Sequence, residues 1–396
     1  MLAFLLAASA CGTDTDAPSD ISVDIAELDA GNYPTIPVDP EQSRIAETSA
    51  VREAIRIGNA TPLVMDVDNR FIFQRYKFVT RVITPATPPY LDAAAITDDE
   101  IGSIFPGLVA GWHTHGQRRA EAWTGREMRI QTIRFSDVQH AEAAAQLLSD
   151  RTPGESHSID GYPNAHTRYL SEVPVGSHWL FPWLNSWLVH DDMLLYVFIE
   201  DPISLPFDPD PLADLAGRTF GKQIEMLKNY LPTPVAELDA QPLDVDGLLS
   251  RTLPTAKENL PVQGADPSGV YPKYAALHIA NRPDLAKAAY DDAGVDYVTI
   301  AGAFIYRTRD DSSPFRLIAA LQAQFIDTDS YDKIDGPAGL PSAECFAAKP
   351  NTPYQSDHPP ICLIPADRYV IHVEGGNVQD ARQRAAAQYK LLMSGR

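Results

Sequence analysis

Hydrophobic and polar positions alternate along Glu127-Met-Arg-Ile-Gln-Thr-Ile-Arg-Phe135, the period-two pattern of a strand with two unlike faces. Arg70 to Val82, dense in aromatic and β-branched residues, predicts a second strand, and Met193-Leu-Leu-Tyr-Val-Phe-Ile-Glu200 a third. Helical spacing predicts helices over Glu41 to Ile57, Asp98 to Phe105, Asp137 to Leu148 and Pro211 to Tyr230. In the first of these, Ile45, Val51, Ala54 and Ile55 oppose Arg44, Glu47, Arg52 and Glu53.

The same order then returns. Pro283 to Ala293 predicts a short helix, Tyr297 to Arg307 a strand and Ser313 to Phe325 a helix. A Pro-rich excursion between Cys345 and Cys362 follows, then the strand Arg368 to Glu374 and a closing helix, Val378 to Met393. The repeated sequence of helix, strand, helix, long excursion, strand and helix predicts an internal duplication. The expected fold class is α+β: two related ferredoxin-like sandwich units, each an antiparallel sheet with helices on one face. The alternative is one continuous α+β domain with insertions. The expected division is an N-terminal domain over 25–231, a Pro- and Asp-rich connector over 232–272 and a C-terminal domain over 273–396.

Ahead of these lies an apolar run, Leu2 to Ala10, which ends in small residues before Cys11 and then turns polar and acidic from Thr13 to Asp20. This is the pattern of a lipoprotein-type signal over residues 1–11, with Cys11 as the lipidated N-terminus and 12–24 as a flexible acidic tether. No Lys or Arg precedes the run. Either Met1 lies inside a longer signal, or the run is an apolar helix with an incidental cysteine; the acidic tail favours the signal. No other apolar run approaches the roughly 20 residues of a membrane span. The expected location is therefore the cell membrane, lipid-anchored, on its extracytoplasmic side.

The chain has 396 residues, too many for one ordinary core, and 44% of them are hydrophobic. Its net charge of −21 excludes nucleic acid as a partner and a surface that lies on anionic lipid. Three cysteines occur; with Cys11 lipidated, Cys345 and Cys362 remain as a pair for a disulfide in an oxidising compartment.

Candidate chemistry is sparse. In Trp112-His113-Thr114-His115-Gly116, His113 and His115 would share one face of a strand and could meet one metal, or the pair could sit in a Gly-bounded loop. Trp179, Phe181 and Trp183 alternate, with Trp187 nearby, and could line a pocket for an apolar or sugar ligand; the competing reading is core or interface. Arg307 and Arg309 could meet a ligand carboxylate or close a salt-bridged strand end. His190-Asp191-Asp192 reads as a hairpin turn, and Ser330-Tyr-Asp-Lys333 as a chance match to a Ser-x-x-Lys motif. No nucleophile elbow, zincin motif, phosphate loop or dinucleotide fingerprint occurs. The expectation is a non-enzymatic protein without catalytic residues or cofactor.

Leu28-Asp-Ala-Gly-Asn-Tyr-Pro34, Gly294-Val-Asp296 and Tyr306-Arg-Thr-Arg-Asp310, together with the lipoprotein-type start, resemble an uncharacterised envelope lipoprotein family of mycobacteria, nocardiae and rhodococci. The resemblance implies an envelope-anchored protein and carries over no catalytic residues. The expected function is thus an exported, lipid-anchored envelope protein that binds a ligand or an envelope protein at the cleft between its domains. The alternatives are a secreted metal-dependent hydrolase centred on His113 and His115, and a purely structural subunit of an envelope complex.

Overall fold

The protein is described here by a computed structural model covering residues 23–74, 80–89, 91, 100, 105–173, 180–255 and 267–394. The first half opens with helices α1 (Thr48–Gly58) and α2 (Val64–Val67) and strands β1 (Val82–Ile83), β2 (Leu108–Gln117) and β3 (Glu127–Phe135). Helix α3 (Val138–Arg151) follows, then β4 (Glu155–Ser156), β5 (His166–Leu170), β6 (Trp183–His190), β7 (Met193–Glu200) and α4 (Asp210–Leu227). The second half comprises β8 (Gly269–Pro272), α5 (Lys273–Leu277), α6 (Pro283–Ala293), β9 (Tyr297–Ile300), β10 (Phe304–Arg307) and α7 (Ser313–Phe325). It closes with β11 (Tyr331–Ile334), β12 (Glu344–Ala348), β13 (Ile361–Ala366), β14 (Tyr369–Glu374) and α8 (Val378–Met393).

Both halves form a seven-stranded sheet, the first in the order β1-β2-β3-β7-β6-β5-β4 and the second in the order β8-β9-β10-β14-β13-β12-β11. Each strand of one sheet has its counterpart seven strands later, and every pairing is antiparallel. Helices α3 and α7 occupy the same place, after the third strand of each sheet, and α4 and α8 follow the last. The α+β class and the duplication are as the sequence implies.

The helices, however, cover both faces of each sheet rather than one. On β7, Leu194, Tyr196 and Phe198 pack with Ala141, Ala144, Ala145 and Leu148 of α3. The alternate residues Leu195, Val197 and Ile199 pack with Leu212, Leu215, Ala216 and Phe220 of α4. The second sheet repeats this: Val370 faces Leu317, Ile318 and Leu321 of α7, whereas Ile371 and Val373 face Ala381 and Ala385 of α8. Apolar residues at every position of a central strand, as in β7, demand cover on both sides.

Local rules fix the ends of these elements. Asp137 Oδ1 accepts the backbone N–H of His140 at 2.9 Å, capping α3, and Asn377 caps α8 through the N–H of Asp380 at 3.0 Å. Gly294 ends α6 in the left-handed conformation, φ +63°, which a residue with a Cβ adopts only at a cost. The predicted strand Tyr297 to Arg307 is instead the hairpin β9–β10. Its turn carries Gly302, whose N–H meets Leu253 O at 2.7 Å and whose added Cβ would lie 2.6 Å from Pro254 O. Of the predicted strand Arg70 to Val82, residues 75–79 lie outside the described set; Phe71 to Gln74 form no strand, and β1 begins at Val82. The predicted helix Asp98 to Phe105 also lies outside it, apart from Glu100 and Phe105.

The halves share a core. Val51, Ala54, Ile55 and Ile57 of α1 pack with Trp112 of β2 and with Tyr271, Ala275 and Ala276 of the second half. The segment expected as connector, 232–272, supplies the second half with Leu248 and Leu253 and with the edge strand β8. The first described residues do likewise: Leu28 and Ala30 pack among the alanines of α8, and Lys390 Nζ donates to Ala26 O at 3.1 Å. No described helix is long and apolar enough to cross a membrane.

Candidate ligand site

Strand register brings one set of side chains to the α7 face of the second sheet. Phe304 on β10 pairs with His372 on β14 and with Ile300 on β9, while Ile361 on β13 pairs with Glu374. Paired residues share a face. With α6 and α7 they line a half-open cavity of about 290 Å³, with Val298, Ile300, Phe304, Phe325, Tyr331 and Ile361 in its walls.

His372 is a buried polar group in this wall. It is 2% exposed and lies between two rings, Phe304 and Phe325, each 5.3 Å away centroid to centroid. Among the described residues neither ring nitrogen has a hydrogen-bond partner; Nε2 stands 3.7 Å from Glu374 Oε1. Burial holds the imidazole below its ordinary basicity, against the opposing pull of Glu374. The rest of the lining is mixed: apolar side chains predominate, and Asn281, Gln324, Asp357 and Glu374 add polar groups to it.

The same face of the first sheet is built differently. Counting from Glu200 and Glu374, the last residues of β7 and β14, Phe198 stands where His372 does. Arg129 pairs with Phe198 and so occupies the place of Phe304; Trp183 pairs with Glu200 and so occupies the place of Ile361. His115 and His113 pair with Arg129 and Gln131, at the positions of Ile300 and Val298. At these positions the first half therefore carries buried polar side chains beside its core, with His115 Nε2 3.4 Å from Glu127 Oε2, where the second has the cavity.

His113 and His115 do share one face of a strand and both are buried. Burial depresses the basicity of His113 well below its usual value, and the Arg81 guanidinium and His115 add to this. Among the described residues no three His, Cys, Asp or Glu side chains gather to hold a metal ion. The charged group beside His113 is a cation, fully buried Arg81, which opposes a second cation there. These surroundings lend the metal site expected of His113 and His115 no support.

Trp183 and Trp187 are fully buried against α3, and Trp187 Nε1 donates to Ala145 O at 2.8 Å. They are core, not the walls of a ligand pocket; Trp179 lies outside the described residues, as does Cys11. Arg307 is paired with Asp296 and Asp246, both at 2.8 Å, and lies over the Tyr297 ring. Arg309 turns to the carbonyls of Asp291 and Asp292 at the end of α6. Both arginines close a strand end, leaving the ligand role expected of them without support. Asp191, at the β6–β7 turn, has φ +53°, in keeping with the hairpin reading of His190 to Asp192. Cys345 and Cys362 form a disulfide across β12 and β13, with Cα atoms 4.1 Å apart.

His372 was not among the residues that sequence reasoning singled out. The parallel between Tyr196-Val-Phe-Ile-Glu200 and Val370-Ile-His-Val-Glu374, which share the final glutamate and three apolar positions but differ at Phe198 and His372, was the available signal.

Residues 41–243 match the N-terminal model of a family described as a domain of unknown function, DUF7373, and residues 248–395 match its C-terminal model. The chain belongs to the DUF7373 family. The junction of the two DUF7373 models falls between the two sheets. Comparison with curated proteins finds no match. Among solved structures, the extracellular domain of PknH from Mycobacterium tuberculosis is similar at 12% identity, over 48% of this chain and 98% of that one. Its TM-score is 0.30, and this likeness carries no argument.

Proposed function

We propose that this DUF7373 protein is an exported, lipid-anchored protein of the cell envelope that acts by binding rather than by catalysis, with the cavity of the second sheet as its ligand seat. The observation that carries the binding role is the cavity of about 290 Å³ with buried His372 in its wall. Small-molecule sites have this character: mostly apolar walls and few, well-placed polar groups, at volumes from about 300 Å³ upward. The seat lies within the second half, beside the contact between halves, rather than in a cleft between them. Export is supported by the apolar run before Cys11 and by the Cys345–Cys362 disulfide, which belongs in an oxidising compartment.

Mass spectrometry on the full chain extracted from an actinobacterial membrane tests both parts. A diacylglycerol-sized mass on the peptide that begins at Cys11, and a further mass lost only on denaturation, are the expected results. An N-terminus left unprocessed would overturn the anchor. Protein that never carries a small molecule, from cells or after incubation with a lipid extract, would overturn the ligand seat.

A further inference from the structure

We infer that a second pocket, at the contact between the halves, takes a short-chain alkanoate whose carboxylate meets the guanidinium of Arg52. The pocket measures about 70 Å³. It lies between Val51 and Arg52 of α1, Leu243 and Leu249 of the segment that joins the sheets, and Gly269 of β8 and Ala301 of the β9–β10 turn.

Arg52 is the one charged side chain in the lining among the described residues. Its neighbours Arg44 and Arg56 are paired with Glu41 and Glu53, whereas no described carboxylate pairs with Arg52. Nη1 donates to Leu243 O at 2.8 Å, and Nε is buried without a partner. Nη2 forms no hydrogen bond among the described residues and is not closed off as Nε is. Burial, with Arg56 and Arg44 nearby, pulls the basicity of Arg52 below the usual arginine value, against the attraction of Asp244 and Glu41. A cation in such surroundings costs free energy until a counter-ion joins it.

The rest of the lining decides which anion fits. Val38, Ile45, Val51, Leu243, Leu249 and Pro254 make it mainly apolar. Its hydroxyls are engaged: Thr48 Oγ1 accepts the Ile45 N–H at 2.9 Å, Thr252 Oγ1 donates to Leu248 O at 2.7 Å, and those of Thr255 and Ser268 bond to each other. The pocket therefore offers a head group one counter-charge and a tail apolar walls. A phosphate or dicarboxylate would find one cation for two charges, an ammonium would be repelled, and an alcohol would leave the guanidinium uncompensated. A cavity of about 150 Å³ takes benzene, so this smaller one suits a chain of a few carbons.

Saturation-transfer NMR on the full chain, with butanoate, butan-1-ol and butylammonium as probes, tests this in about 0.15 M sodium chloride, which screens exposed charges. Butanoate should bind about tenfold more tightly than butan-1-ol, and butylammonium should not bind. Ile45→Trp, which fills the pocket, should abolish butanoate binding. Arg52→Gln should weaken it about tenfold, and Arg52→Lys, which keeps the charge, should weaken it less. Butan-1-ol binding as tightly as butanoate, or no binding of butanoate, would overturn the inference. So would butanoate binding that a folded Ile45→Trp or Arg52→Gln variant leaves unchanged. Should Ile45→Trp fail to fold, as judged by circular dichroism, Ala301→Leu fills the pocket from the second half; should Arg52→Gln fail, the ranking of the probes on the unaltered chain decides. None of these substitutions touches the cavity around His372, so the outcome is separate from that of the ligand seat proposed above.

Discussion

Trp183 and Ile361 hold the same place in the two sheets: each stands directly across from a glutamate that ends the neighbouring strand, Glu200 in the first and Glu374 in the second. The indole fills the space that the smaller side chain leaves open, and its ring lies 6.1 Å from Phe198. Trp183→Ala should therefore cut a cavity into the first half and cost about 3–5 kcal/mol, as large-to-small changes at fully buried aromatics do. Urea denaturation measures this. A loss under about 1 kcal/mol would mean that the α3 face closes over the gap.

Glu53 on α1 ties its helix to the sheet through a buried network. Arg134 Nη1 donates to it at 2.9 Å, the Thr233 N–H at 3.1 Å, and the Tyr230 hydroxyl also bonds to it. Burial pushes its carboxyl up, but the Tyr230 hydroxyl, the Thr233 N–H and hydroxyl and the Arg56 charge outweigh this and hold it below the ordinary glutamate range. Glu53→Ala would leave Arg134 buried without this partner, a change that costs about 3–5 kcal/mol. Glu53→Gln should recover part of the loss in the same denaturation experiment, since it keeps the acceptor oxygen. Equal losses for both variants would assign the whole effect to charge.

Acid should weaken the protein early. His113, His278 and His372 are buried and all held below the ordinary histidine value, His278 down to about 3. A folded-state value below the unfolded one gives stability that is complete above about pH 6.5 and lost as pH falls from there toward the folded value. Each such histidine contributes a slope of ~1.4 kcal/mol per pH unit once the unfolded chain is protonated. Denaturation midpoints measured at pH 7.5, 6 and 5 should fall monotonically. A flat profile would mean that these rings reach water before the protein unfolds.

The Cys345–Cys362 bridge spans a sequence separation of 17, which corresponds to about 3 kcal/mol in the loop-entropy model. Replacing both cysteines by alanine should lower the unfolding free energy by about that amount without altering the circular dichroism spectrum. The first sheet manages without a bridge at the matching place, where Tyr169 faces Leu184.

The repeat was legible because β3, β7, β14 and the helices beside them carry strong periodicity: Glu127 to Phe135 alternates, and α3, α7 and α8 keep helical spacing. Strand β2 was harder to read, since Gly111 and Gly116 interrupt Leu108–Gln117 and glycine weakens any strand signal. The β9–β10 hairpin was masked for the opposite reason: Ala301-Gly302-Ala303 sits inside an apolar run and reads as more strand. The cavity itself could not be read along the chain. It depends on Ile361 and Trp183 being equivalent, which only sheet register establishes.

The way the chain begins has a consequence for orientation. Its first described residues bypass the first sheet and dock on α8, through Leu28 and Ala30. From Val23 back to Cys11 the chain can stretch only about 40 Å. An anchor at Cys11 would therefore be joined to the molecule at the second half, whose α8 would stay within about 40 Å of the bilayer, although the first half comes first in the sequence. The half with the open cavity, and not the half sealed by Trp183, would be the one tied directly to the lipid surface.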